Sequence, residues 1–205
     1  MERIEDAIAS LAKKCAQALE RKATERIAEM QQDNLSHYLI YQVLGIDKQE
    51  GYLIDLYQNK GRFLYKYAGA FLEEAALLCF KHKFPNAKKI KIPNNQGQRP
   101  KTFEIDCLIG KRAYEIKWRD ATTDGDHITK EHTRVKAIQS QGYVPVRVMF
   151  YYPNRTQAIR IQKTLETLYT GVGGEYYYGD KAWQYIFNAT GVDLHQMLMD
   201  IASKK

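Results

Sequence analysis

The chain has 205 residues, enough for one domain with a substantial core. Its 31 basic side chains outnumber its 24 acidic ones and the pI is near 9.1, which favours a polyanionic partner without separating nucleic acid from an anionic membrane surface. No apolar run approaches the ~20 residues of a membrane span, and the start, Met1-Glu2-Arg3-Ile4-Glu5-Asp6, lacks the basic and apolar regions of a signal peptide, so the expectation is a cytoplasmic protein with no membrane partner.

From the N-terminus, Ile8, Leu11, Cys15, Leu19 and Ile27 recur at helical spacing among many charges, which predicts one amphipathic helix over 5–30. A second helix, about 34–44, opens at an Asp33-Asn34 cap and ends at Gly45. A third starts near Asn59 or Gly61 and runs to Pro85; from Tyr67 to Phe80 it is apolar nearly all round, yet it carries Glu73 and Glu74 side by side, and buried carboxylates need partners. Lys88 to Ile92 reads as a short strand, and the polar loop Pro93 to Pro100 leads into a hairpin, Thr102 to Arg119. After a turn-rich stretch to Asp126, Ile128 to Gln141 reads as a helix ending at Gly142, and Tyr143 to Tyr152 as a strand with Val144, Val146, Val148 and Phe150 on one face. A helix over Arg155–Tyr169, a Gly171–Gly174 loop, an aromatic stretch Tyr176–Tyr178 and helices from Lys181 and Leu194 complete the chain. This order gives a single domain over 1–205 with an α/β core and a mixed sheet: a helical part over 1–60, the core over 61–152 and a helical part over 153–205. Cys15, Cys79 and Cys107 are widely spaced among apolar residues and read as reduced core side chains, with no zinc spacing. The 15 tyrosines and 7 phenylalanines suit core and interface packing or stacking on bases.

The hairpin carries the chemistry. Two alternating runs flank Gly110-Lys111, and glycine at the first central position suits a two-residue type II′ turn. Ile109 then pairs with Arg112, Asp106 lies opposite Glu115, and Glu104 opposite Lys117. Alternation puts Phe103, Ile105, Cys107, Ile109, Tyr114, Ile116 and Trp118 on one apolar face and Glu104, Asp106, Glu115, Lys117 and Arg119 on the other. Like charges directly opposite repel, which makes sense where a cation sits between the carboxylates. Oxygen ligands select a hard cation such as Mg²⁺ or Mn²⁺, and two carboxylates with an adjacent lysine suit metal-assisted phosphodiester hydrolysis. A solvated charged face is the plainer alternative.

At these residues the sequence resembles the PD-(D/E)xK nuclease superfamily, with Asp106 at the first acid, Glu115 at the second and Lys117 at the lysine; Ile105 stands where the family name has proline. Among its members the chain is most similar to small type II restriction endonucleases of the ApaLI-like family, through the run from Tyr114 to His127. The resemblance implies a restriction-endonuclease-like core with a central mixed sheet flanked by helices, Mg²⁺ with Mn²⁺ able to substitute, and a homodimer cutting palindromic double-stranded DNA, GTGCAC for an ApaLI-like member. It also implies a helix glutamate in a Gly-x-x-x-Glu setting, matched by Gly69 and Glu73. Helical geometry points the other way: at about 100° per residue the apolar face centres near Phe71, Ala75 and Leu78, which Glu74 borders and Glu73 opposes. The third acid is one of this pair, with Glu73 taken first because the helix is apolar on several sides. Past the lysine, Arg119, Asp120, Thr122, Thr123, Asp124, Asp126, His127, Thr129, Lys130, His132 and Arg134 are dense in side chains able to bond base edges, and a solvated loop and helix surface explains the same composition. A structure-selective repair or junction-resolving nuclease would use the same core, and a catalytically silent DNA-binding subunit is the reading from another class.

Overall fold

The computed structural model describes residues 3–97, 99–119 and 125–204. Contacts group the chain into two units, Ser10–Phe71 and Met1–Ala9 with Leu72–Lys205.

The smaller unit holds most of helix α1 (Ile4–Gln31), helix α2 (Tyr38–Val43) and the first part of helix α3 (Lys48–Lys83). Two boundaries differ from expectation. Helix α2 begins at Tyr38 rather than 34, because the Asn34 side chain takes the Ser36 N–H at 2.8 Å and holds that stretch as a turn. Helix α3 begins at Lys48, well before Gly61, since Asp47 accepts the Glu50 N–H at 2.9 Å as an N-terminal cap. Gly51 does not interrupt it: a Cβ there would stand 2.7 Å from the Tyr41 ring, so the glycine lets α3 approach α2. Tyr41 donates to Asp55 at 3.0 Å and the His37 ring nitrogen meets the other Asp55 oxygen at 3.0 Å, fixing α2 to α3.

The larger unit is an α/β layer structure. Strands β1 (Lys88–Pro93), β2 (Thr102–Ile109), β3 (Arg112–Arg119), β4 (Val144–Tyr151) and β5 (Glu175–Tyr178) lie side by side in that order. The first three pair antiparallel, while β3, β4 and β5 run parallel, joined by the crossover helices α4 (Gly125–Ser140) and α5 (Thr156–Gly171). Helices α6 (Asp180–Thr190) and α7 (Leu194–Ser203) close the C-terminal end. This is the mixed sheet flanked by helices that the order of elements predicts. Strand β5 was not legible in advance: its four residues, Glu-Tyr-Tyr-Tyr, are all half-buried and show no alternation.

The hairpin turn is as expected, with Gly110 at φ +56, no described non-glycine residue at positive φ, and Ile109 paired with Arg112. The faces are not. Strands β2 and β3 pair from Ile109↔Arg112 to Cys107↔Tyr114, and the expected continuation to Asp106 opposite Glu115 and Glu104 opposite Lys117 gives way to a bulge. Against β1, Lys88 meets Leu108 while Ile90 meets Ile105, so Asp106 and Cys107 together face Lys89. The extra residue inverts the alternation: Phe103 and Ile105 pack with Ala113, Ala137 and Ile138 on the α4 side, whereas Tyr114 stacks near Phe80 of α3, ring centroids 4.7 Å apart, on the other. The single apolar face expected for the whole hairpin is therefore two half-faces that exchange at Asp106.

Gly174, just before β5, lies where a Cβ would stand 2.4 Å from the Pro145 carbonyl oxygen and 2.9 Å from that of Tyr169. Gly174→Ala should cost about 1–3 kcal/mol, the range for overpacking, whereas Gly171→Ala, with nothing within 4 Å of its Cβ, should be mild. Denaturant unfolding of the two variants checks this, and equal midpoints would contradict the close approach.

Candidate active site

The bulge places the first acid. Asp106 is buried and its Oδ2 accepts the Ile116 N–H at 2.8 Å, bonding across to β3 with its side chain. Glu115, with Ala113, lies on the α4 side of β3 and is only 1 % exposed. Lys117, two residues on, brings its Nζ to 2.7 Å from Glu115 Oε1, 3.4 Å from Glu73 Oε1 and 3.7 Å from Asp106 Oδ2. One ammonium thus stands among three carboxylates.

Glu73 reaches the cluster because the buried stripe of α3 comprises Leu72, Ala75, Ala76, Leu77, Cys79 and Phe80; of the expected centre Ala75 is buried, while Phe71 and Leu78 are only half-buried. Glu73 sits three and seven residues before Ala76 and Phe80, at the margin of that stripe, and not opposite it. Glu74 turns the other way and pairs with Lys89 of β1 at 3.1 Å. Burial raises the Glu73 pKa above the ordinary carboxylate value, Lys117 opposes that rise, and Asp106 adds to it.

Sequence reasoning missed the second layer of charge. Arg134 of α4 sets a guanidinium nitrogen against Glu115 Oε1, with another carboxylate oxygen, Glu131 Oε1, 3.5 Å away. Glu131 Oε2 accepts from Arg147 at 2.9 Å and from the Tyr169 hydroxyl at 3.0 Å. Arg147 lies in β4 directly beside Glu115, and Arg147, Glu131 and Tyr169 are all buried. Burial works against the Arg147 cation, yet with Glu131 in contact its pKa is raised; burial first and then Glu131 push the Tyr169 hydroxyl up. A signal for this layer was present: Arg147 interrupts the otherwise apolar run Val144–Phe150, and a charge there needs a buried partner.

Of the residues singled out in the sequence, Asp106, Glu115, Lys117 and Glu73 come together and Glu74 does not. Arg119 ends β3 exposed, Lys130 is exposed on α4, and Asp126 and His127 fall in the first turn of α4. Arg134 lies within the acidic cluster, its side chain 22 % exposed. Asp120, Thr122, Thr123 and Asp124 fall outside the described residues.

Asp106, Glu115, Glu73 and Glu131 supply four carboxylates against the three cations Lys117, Arg134 and Arg147. Glu115 Oε2 is buried with no hydrogen-bond partner among the described residues. That surplus of negative charge and an orphaned hard oxygen fit a divalent cation. Among the described residues no three acidic, histidine or cysteine side chains converge as a ready-made set of ligands, because cationic side chains stand between them.

No curated protein and no solved structure matches the chain. The family model for ApaLI-like restriction endonucleases, in contrast, matches residues 1–203 and so spans both units, which places this chain in the ApaLI-like restriction endonuclease family.

Proposed function

We propose that the protein is a type II restriction endonuclease that hydrolyses phosphodiester bonds at a specific site in double-stranded DNA, with Mg²⁺ as its metal and Mn²⁺ able to replace it. The observation that carries this reading is the Lys117 ammonium held at the mouth of the Asp106, Glu115 and Glu73 carboxylates, two of them nearly inaccessible to solvent.

Asp106 and Glu115 would hold the ion, Glu73 would supply or orient a third oxygen, and Glu74, paired with Lys89, stays outside the set. A bound divalent ion neutralises the phosphate and lowers the pKa of a coordinated water. Asp106 stays oriented by the Ile116 N–H, which fixes its Oδ2 on β3 within 3.7 Å of the Lys117 ammonium. Lys117 orients the attacking water and stabilises negative charge developing on the attacked phosphate. Ile105 on the α4 side of the sheet and the paired Ile116 and Val148 on the other are wholly buried and help hold these groups in place.

DNA would approach past the C-terminal ends of β3 and β4. A pocket of about 550 Å³ there is lined by Trp118, Arg119, Tyr151, Tyr152, Pro153, Asn154 and Arg155, combining cations for phosphates with rings for bases. Arg119, Lys130 and the stretch containing Asp120, Thr122, Thr123, Asp124, Asp126 and His127 are the proposed readers of bases and backbone. A palindromic site and a homodimer go together, since two-fold protein symmetry presents one reading surface to both half-sites. In support, α2 and the residue after it expose Leu39, Ile40, Val43 and Leu44, the last two by 73 % and 71 %, an apolar row suited to a second copy.

The deciding experiment incubates the protein with phage DNA and Mg²⁺. Discrete fragments, including those expected from cutting at GTGCAC, support the reading; a smear points to a nuclease without site specificity, and uncut but bound DNA to a silent binding subunit.

Asp106→Asn keeps an oxygen for the Ile116 N–H, and Glu115→Gln keeps the shape of the buried side chain, so both variants should fold while cleavage falls by at least ~10²-fold. Cleavage near wild type in either variant, followed on supercoiled plasmid, would remove the proposed metal site. For Lys117→Ala we expect a loss of about 10²–10³ in the single-turnover rate with little change in affinity for cognate DNA; a change in affinity alone would make Lys117 an ordinary phosphate contact. Val43→Asp combined with Leu44→Asp should convert a dimer to a monomer in sedimentation, and an unchanged mass would place the interface elsewhere.

A further inference from the structure

Arg134 occupies a position that a DNA-reading arginine has no reason to take. Its guanidinium is drawn into the acidic cluster against Glu115 Oε1, the same oxygen that meets Lys117 at 2.7 Å, while its Nε is buried without a hydrogen-bond partner among the described residues. A second carboxylate is within reach: Glu131 Oε1, 3.5 Å from the same guanidinium nitrogen and three residues earlier on α4. Glu131 is itself immobile, because its other oxygen is held by Arg147 at 2.9 Å and by Tyr169 at 3.0 Å. Arg134 therefore has two carboxylates to choose between, one shared with Lys117 and the other waiting on its own helix.

We infer that Arg134 is a place-holder for the metal: its guanidinium neutralises Glu115 while the site lacks an ion, and it passes to Glu131 when a divalent cation arrives, so that metal binding is an exchange of one cation for another. The inference rests on the metal-dependent nuclease reading and adds a positioning residue to it. Charge dictates the exchange. Glu115 is 1 % exposed and would be costly to leave ionised alone, which explains why two cations, Lys117 and Arg134, attend it. A divalent ion on the same carboxylate would meet Arg134 at a few ångströms with little water between them, and that repulsion is relieved by a short swing toward Glu131. Lys117, with Glu73 and Asp106 as further partners, can stay.

The placement also couples the site to α4. Arg134 follows Asp126, His127 and Lys130 on one helix, two turns beyond its start. DNA held by the first part of α4 and a metal held by Glu115 therefore act on the same rigid element, and each would favour the arrangement with Arg134 on Glu131.

The test measures metal binding without DNA, by the electron paramagnetic resonance signal of free Mn²⁺ in titrations of the full chain. Arg134→Met should bind Mn²⁺ about tenfold or more tightly than wild type, because the competing charge is gone, and Arg134→Lys, which restores a positive charge, should return toward the wild-type value. An arginine that merely holds α4 in place predicts the opposite, weaker binding in Arg134→Met, and that result or unchanged affinity overturns the inference. If Arg134→Met does not fold, the wild-type chain decides: the Arg134 Nε–H resonance should shift on adding Mg²⁺ without DNA, and an unmoved resonance overturns the exchange. Failure of the nuclease reading shows separately, as phage DNA left intact by the wild-type protein.

Discussion

Burying Glu115 sets the terms for everything around it. A carboxylate with 1 % of its surface exposed cannot remain ionised in an apolar interior unless cations come with it, and each of those cations is itself partly removed from water and needs its own partner. The outcome is a relay of alternating charge from Glu73 through Lys117, Glu115 and Arg134 to Glu131, and from there to Arg147. The relay crosses from α3 through β3 and α4 to β4, so the elements that enclose the site are tied together by the charges the site requires. Membership in a restriction endonuclease family gives a reason to keep so unfavourable an arrangement, since a core built only for stability would place apolar side chains there.

The sheet supports this by its order. Strand β3, which carries Glu115 and Lys117, is interior: β2 flanks it antiparallel and β4 parallel. Both neighbours contribute a charged side chain next to it, Asp106 from the bulge in β2 and Arg147 from the step of β4 paired with Glu115. With β4 paired along its length and the Asp106 side chain bonding the Ile116 amide on its other edge, β3 leaves the side chains around Glu115 little freedom to drift.

Much of this could be read from the residues. The Gly110 turn fixed the strand pairing nearby, since only glycine takes that φ readily, and the alternation in Glu115-Ile116-Lys117 marked the face of β3 that carries the charge cluster. Helices α5, α6 and α7 were visible in the sequence, and glycines do mark the end of α5 and both ends of α6. The bulge was not visible, because one extra residue in a strand leaves no mark on composition while inverting every position beyond it, as Phe103 and Ile105 show. Arg147 stood out as a charge in an apolar run, but its partners Glu131 and Tyr169 did not: they are far apart in sequence and meet it only after β4 pairs with β3 and α5 packs back. Glu73 was legible only in part, since an all-round apolar helix does not announce which of its faces the sheet will cover.

The bulge in β2 also makes chain length a constraint of its own. Elsewhere a substitution alters one side chain, but deletion of a single residue between Ile105 and Leu108 would restore regular alternation, carry Asp106 off its bond to the Ile116 amide and turn Phe103 and Ile105 out of their core together. Lineages of this enzyme can therefore be expected to tolerate insertions in the polar stretch between β1 and β2, whose described residues are largely exposed, and to show almost none within the strand that follows it. Spacing here is inherited as strictly as chemistry.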